Sequence, residues 1–235
     1  MTDTTTAAGT FAERVTRELE EVTRSVLFEE RPFMIEFAAG RIPREKLVPF
    51  AASYPFQVDQ FKRFIAAVYA NAEPRDVREL MLENLWEEHG EGDPDRDHIA
   101  LVTRFARAVG ADIPDPFSVE PIPESRQWVD RILKVCMEEH FVVGLAALSY
   151  GIEARTWTMA FLGQIYRDRY GLSEHDLEFF FMHLEADEEH AGRAIEMLQK
   201  YCTSEELLER CKWAVREVLD ATRAVAEGFE RTVTA

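Results

Sequence analysis

Apolar residues recur with helical spacing, rather than with the alternation typical of a β-strand, in nearly every segment of the 235-residue chain. Glycine and proline are scarce, at 11 and 10 residues, so long uninterrupted helices are expected. Hydrophobic residues make up 46% of the sequence, which is enough for a substantial core. The sequence therefore predicts an all-α protein in which about seven helices pack as a bundle.

Proline and capping signals set the expected boundaries of these helices. Pro49 and Pro55 should kink or divide the second helix. Ser173 and Thr203 each precede an acidic residue by three positions, as in a capping box. The expected helices cover 11–28, 43–71, 74–90, a stretch from Asp93-Pro94 to Gly110, 125–168 with a possible break, 174–201 and 205–231.

The net charge, the N-terminal sequence and the cysteines argue against several classes of protein. The net charge of −17 argues against binding to nucleic acid or to anionic membranes. Residues 1–10 lack the basic and apolar segments of a signal peptide and are expected to be a disordered lead, with one domain over 11–235. Three cysteines without Cys-x-x-Cys spacing fit a reducing, cytoplasmic location.

The segment from His183 to His190 carries the strongest chemical signal. Offsets of four and seven residues place Asp187 and His190 within about 40° of His183 around a helix. The same stripe includes Phe180 and Ala194, so this face is expected to be buried. Polar groups buried without partners cost about 1–3 kcal/mol each, and a metal ion would remove that cost.

Two further segments add ligand-type side chains. Glu153 has small and aromatic helical neighbours, which indicates an interior carboxylate, although a core glutamate paired with Arg155 would leave the same pattern. Glu88 ends one expected helix and His98 enters the next, with two glycines in the turn between them. That turn can aim both side chains at one point, but acid-rich loops are more often simply solvated.

Together these segments offer three carboxylates and three imidazoles, the donor set of two iron or manganese ions with positions left open. The carboxylates Glu88, Glu153 and Asp187 are the expected catalytic groups. A ferritin-like arrangement, in which Asp95 pairs with His98, is the alternative ligand choice. Zinc is disfavoured because structural zinc sites prefer four ligands and often thiolates.

At these residues the chain resembles the haem-oxygenase-like di-iron oxidases and oxygenases, which share the TenA/PqqC-like fold. The family pattern is a Glu, a His about ten residues on, a Glu on a central helix, and then His-x3-Asp-x2-His. The matching residues here are Glu88, His98, Glu153, His183, Asp187 and His190. The resemblance covers about residues 11–230 and implies a bundle without haem, two Fe(II) ions with manganese as an alternative, and dioxygen as co-substrate.

The departures from this pattern bear on the reaction. Self-sacrificing aminobenzoate synthases of the group carry His-x-Phe-Tyr, whereas this chain has Arg31-Pro-Phe-Met34 and so lacks that tyrosine. Some N-oxygenases add a glutamate on the preceding helix, where Asp59 is the nearest candidate here. Thiaminase relatives use a cysteine near the position of Glu153, and none lies there.

The expected function is oxidation of a small metabolite, an amino acid or a fatty acid, by oxidative C–C or C–H cleavage. N-oxygenation of an amine and a metal-free, TenA-like binding or regulatory protein are the alternatives. Tyr54, Lys62, Tyr150 and Trp157 are the expected substrate-binding residues. A homodimer, an external reductant and no nucleic-acid or membrane partner complete the expectations.

Overall fold

The fold is that of a computed structural model, which describes residues 10–26 and 30–234 with the side chains at 155–157, 183–191 and 234 left out. The described residues form α-helices and three 3₁₀ turns, without a strand. The predicted all-α class is confirmed, whereas the predicted lead at 1–10 lies almost entirely outside the described residues. The helices are α1 (Phe11–Arg24), α2 (Pro32–Ala38), α3 (Arg44–Asn71), α4 (Arg75–Glu88), α5 (His98–Val109), α6 (Pro123–Glu138), α7 (Phe141–Gly151), α8 (Thr156–Tyr170), α9 (Glu178–Tyr201) and α10 (Glu205–Thr234).

Several helix boundaries differ from those expected. Helix α3 continues through Pro49 and Pro55 without a break. Helix α5 begins at His98 rather than at Asp93-Pro94, because the Asp97 carboxylate caps it by accepting a hydrogen bond from the Ile99 N–H. The stretch 125–168, which was predicted with a possible break, is divided into α6, α7 and α8, and no helix was predicted at the position of α2.

Helix α7 is the centre of the larger hydrophobic cluster, and all its residues are buried. It packs most extensively against α10, while α3 packs against α5. A second cluster is rich in aromatic side chains, among them Phe37, Tyr54, Phe105 and Phe180. Phe50 of α3 packs against both clusters, so α3 joins the two halves of the core.

No helix among the described residues is both long enough and apolar enough to cross a bilayer.

Candidate metal centre

Glu88 and His98 meet where α4 and α5 approach each other. Glu88 is the last residue of α4 and His98 is the first residue of α5. Both are buried, with 8% and 5% of their surfaces exposed. The Glu88 Oε2 atom lies 3.0 Å from the His98 Nδ1 atom. The turn between the helices therefore brings these two predicted ligands together.

This pair fits the requirements of a metal ion. Within the described side chains, the buried Glu88 Oε2 makes no hydrogen bond of good geometry. Two ligand atoms about 2.1 Å from one ion and at right angles to each other are about 3.0 Å apart, which matches the observed separation. The described side chains alone contain no group of three or more such residues, and three of the six predicted ligands lie outside them.

The turn between α4 and α5 depends on Gly90. Gly90 has a φ of +70°, and a Cβ atom there would lie 2.5 Å from the backbone nitrogen of Asp97 and 2.6 Å from the carbonyl carbon of Arg96. The chain therefore returns on itself directly before His98. A side chain at Gly90 would push apart the two backbone segments that carry Glu88 and His98.

We expect Gly90→Ala to destabilise the fold by more than Gly171→Ala and to lower metal content. Gly171 has the same φ of +70°, but a Cβ atom there would meet nothing within 4 Å. The variant Gly171→Ala therefore measures only the cost of the left-handed backbone, about 1–2 kcal/mol. Chemical denaturation and metal analysis of both variants measure the difference. Equal losses of stability and unchanged metal content in both would contradict the importance of this close approach.

The His183–His190 segment lies on α9, and its side chains are outside the description. The helix runs through this segment without interruption, so positions 183, 187 and 190 share one side of the helix. Phe179 and Met182, which come just before the segment, line a cavity of the described structure.

Glu153 occupies a different local structure from the one expected. It begins a 3₁₀ turn, Glu153–Arg155, between α7 and α8, rather than lying within a continuous helix. Its side chain is partly buried and lines the same cavity as Glu88 and His98. Three of the six predicted ligands therefore lie on one cavity wall.

The cavity has a volume of about 570 Å³, which is in the range of small-molecule sites. Its wall is mainly apolar and aromatic and receives residues from every described helix except α1, with the segments between helices adding others. Arg31 and Glu230 lie on this wall and form a two-bonded ion pair, with 2.7 Å from Arg31 Nε to Glu230 Oε1 and from Arg31 Nη2 to Glu230 Oε2. Glu230 raises the pKa of Arg31 through these hydrogen bonds.

The predicted substrate-binding residues have different locations. Tyr54 lines the cavity, and burial raises the pKa of its hydroxyl well above the usual range. Lys62 is buried outside the cavity wall, and its ammonium donates hydrogen bonds to Asp97. Tyr150 is buried and does not line the cavity, while the Trp157 side chain lies outside the description.

Sequence reasoning did not find Asn84, which lies one turn before Glu88 on the same face of α4. Asn84 is 7% exposed and lies on the cavity wall, and within the described residues its Oδ1 atom has no hydrogen bond. The four-residue spacing from Glu88 is the signal that would have found it.

The alternative ligands considered from the sequence lie elsewhere. Asp95 is exposed in the turn before α5, where its backbone N–H bonds the Asp93 carboxylate. Asp59 accepts a hydrogen bond from Gln60 and does not line the cavity.

The folds of several solved structures are similar to this one. A CADD-like protein of unknown function from Nostoc punctiforme has a TM-score of 0.80 at 17% identity, covering 96% of this chain and 100% of the other. A Shewanella denitrificans domain of unknown function with a haem-oxygenase-like fold gives 0.74 at 17% identity, covering 93% and 90%. A TenA homologue from P. horikoshii gives 0.64 at 16% identity, covering 94% and 97%. These similarities define a haem-oxygenase-like helical protein, as the sequence predicted.

The sequence identifies the family within this fold class. Residues 48–223 match the model of the iron-containing redox enzymes, and the chain belongs to that family. It is also 28% identical to a 4-aminobenzoate synthase of Nitrosomonas europaea, over 97% of this chain and 94% of that protein. A 4-aminobenzoate synthase of Chlamydia muridarum is 27% identical, over 92% and 90%. The chain is therefore an oxidoreductase that uses iron.

Proposed function

We propose that this protein binds two Fe(II) ions and uses dioxygen to oxidise a small external metabolite. The observation that carries the proposal is the buried Glu88–His98 pair, which opens onto a cavity large enough for a substrate. Glu153, His183, Asp187 and His190 complete the proposed ligand set, with manganese as an alternative metal. Membership of an iron-containing redox family argues against the metal-free, TenA-like alternative.

The protein's own residues supply binding, orientation and exclusion of water. Bound iron would supply the one-electron chemistry that dioxygen requires. Glu88 and His98 would fix one edge of the site, because both come from rigid helix ends. Phe179 and Met182 would keep bulk water from the reacting atoms.

The substrate is proposed to be a separate molecule rather than a side chain of the protein. Met34 lies on the cavity wall in the motif position where the self-sacrificing synthases carry a tyrosine, and a thioether cannot replace a phenol. The chain is similar over most of its length to relatives named 4-aminobenzoate synthase, but Met34 departs from the His-x-Phe-Tyr pattern of the self-sacrificing synthases that it resembles. Oxidative C–C or C–H cleavage is the proposed reaction, with N-oxygenation of an amine as the second candidate.

The cavity favours an apolar or aromatic metabolite with a small polar group. Most of its wall is hydrophobic, and the Asn84 amide offers a hydrogen bond near Glu88. A substrate carboxylate at Arg31 would have to displace Glu230, which already occupies the guanidinium. The cavity therefore favours an amino acid whose carboxylate binds away from Arg31 over a fatty acid whose carboxylate binds at Arg31.

We propose that the enzyme works in the cytoplasm as a homodimer, takes electrons from an external reductant, and has no nucleic-acid or membrane partner. The excess of acidic residues, 44 against 27 basic ones, supports the last point.

Anaerobic loading with Fe(II) tests the proposal. We expect about two iron ions per chain after removal of free metal, and oxygen uptake that rises when a substrate from a panel of aromatic amines, amino acids and fatty acids is added. The metal-free protein is the control and should consume no oxygen. A single iron per chain would contradict the two-ion site, and protein that retains no iron would contradict the proposal as a whole.

A further inference from the structure

Lys62 is a buried lysine whose ammonium joins two segments of the proposed metal centre. Only 6% of the residue is exposed. Its Nζ atom lies 2.9 and 3.0 Å from the two carboxylate oxygens of Asp97 and 3.4 Å from the His89 Nδ1 atom. The His89 Nδ1 atom in turn lies 3.3 Å from the Asp97 Oδ2 atom. The three side chains form one connected polar network.

Both partners of Lys62 are adjacent in sequence to a predicted metal ligand. His89 follows Glu88 and is the C-terminal cap of α4. Asp97 precedes His98 and is the N-terminal cap of α5. The network therefore connects the ends of the two helices at the positions where they present Glu88 and His98.

The burial of Lys62 requires this network. A buried ammonium is costly unless it is paired and hydrogen-bonded, and Asp97 supplies both. Since Lys62 does not line the cavity, the network gives it a role other than contact with substrate. Helix α3, which carries Lys62, joins the two parts of the core and so provides a fixed support.

We propose that Lys62 is a positioning residue that holds the Glu88 carboxylate and the His98 imidazole at the separation a metal ion requires. The inference rests on the proposed iron site. Partners that orient metal ligands typically change metal affinity by about 10–100-fold when removed. Lys62 would orient both ligands at once, because its partners His89 and Asp97 are adjacent in sequence to Glu88 and His98.

The test compares Lys62→Met with Lys212→Met, using Co(II) as the metal probe. Lys212 is a suitable control because it is also largely buried, at 16% side-chain exposure, and pairs with two carboxylates, Glu18 and Glu209, outside the cavity wall. We expect Lys62→Met to bind Co(II) about 10–100-fold more weakly, with an altered visible spectrum of the bound ion. Lys212→Met should keep the affinity and the spectrum of the parent. The variant Lys62→Arg should recover part of the affinity, because it restores a cation to Asp97.

A second readout does not depend on metal. The ring ¹⁵N–¹H resonances of His98 in metal-free protein should shift in Lys62→Met and stay unchanged in Lys212→Met. Asp97→Asn, which keeps a capping side chain but removes the charge, should give the same shift if Lys62→Met does not fold. Unchanged His98 resonances and Co(II) affinity in the Lys62 and Asp97 variants would overturn the inference. A parent protein that binds no Co(II), together with shifted His98 resonances in Lys62→Met, would count against the metal site while supporting the positioning role.

Discussion

Replacing Glu88 with alanine should reduce the iron affinity of the protein by more than about 100-fold, above the range associated with residues that only orient ligands. Glu88 is buried, its Oε2 atom faces the His98 Nδ1 atom at 3.0 Å, and both residues lie on the cavity wall. The substitution therefore removes a ligand itself and leaves the imidazole without its neighbouring carboxylate. Iron content after anaerobic loading and dialysis is the measurement.

Two neighbouring acids provide matched controls for Glu88. Glu87 and Glu91 also line the cavity, so their alanine variants remove a carboxylate from the same wall. Glu91 is exposed and pairs with Arg96 at 3.3 Å, which makes it a surface ion pair worth at most about 1 kcal/mol. We expect smaller losses of iron from both controls. A larger loss in Glu91→Ala would mean that the ligand lies seven residues before His98 rather than ten.

The stability of the iron-free Glu88→Ala protein separates a ligand from a structural residue. Within the described residues, the buried Glu88 Oε2 atom makes no hydrogen bond of good geometry, which lowers the stability of the metal-free fold. Removal of this carboxylate should therefore leave the free energy of unfolding unchanged or higher. A structural glutamate would instead cost stability with or without metal. Urea denaturation of parent and variant in the absence of iron distinguishes the two cases.

The sequence predicted the fold class because helical periodicity is a local property, but it did not predict every helix end. Pro49 and Pro55 were expected to kink or divide α3, and packing on both parts of the core keeps that helix undivided. Asp93-Pro94 has the sequence pattern of a helix start, but these residues still belong to the turn that begins at Gly90. Helix α5 begins only after Asp97, which caps it. Tertiary packing decides these boundaries, and a local sequence pattern does not report tertiary packing.

In the candidate site too, a contact between residues close in sequence was predicted, whereas contacts between residues distant in sequence were not. The close approach of Glu88 and His98 was expected, since both belong to one helix–turn–helix segment. The role of Lys62 was not, because its partners Asp97 and His89 lie 35 and 27 residues further along the chain. The sequence analysis predicted that Lys62 binds substrate, whereas the structure places its ammonium in an internal network with Asp97 and His89.

The largest effect on oxygen chemistry should come from Glu153→Ala. Glu153 comes from the turn between α7 and α8, away from the α4–α5 segment, and it lines the same cavity as Glu88 and His98. A carboxylate in that position can hold or bridge a second ion, which the Glu88–His98 pair alone cannot do. We therefore expect iron content to fall from about two ions per chain to one or fewer.

In Glu153→Ala, the rate of oxygen uptake in the presence of substrate should fall together with the iron content, by more than about 100-fold. The reason is that each ion must be held in place for the redox step. The helical content should change little, because Glu153 lies in a short 3₁₀ turn between α7 and α8 rather than within an α-helix. Glu153→Gln keeps the shape but removes the charge, so it should lie between the parent and Glu153→Ala in iron content. Circular dichroism, metal analysis and oxygen-electrode rates on the three proteins test this together. If Glu153→Ala retains two irons and consumes oxygen at the parent's rate, the six-ligand site must be abandoned, since one of its carboxylates would then do nothing for metal or oxygen.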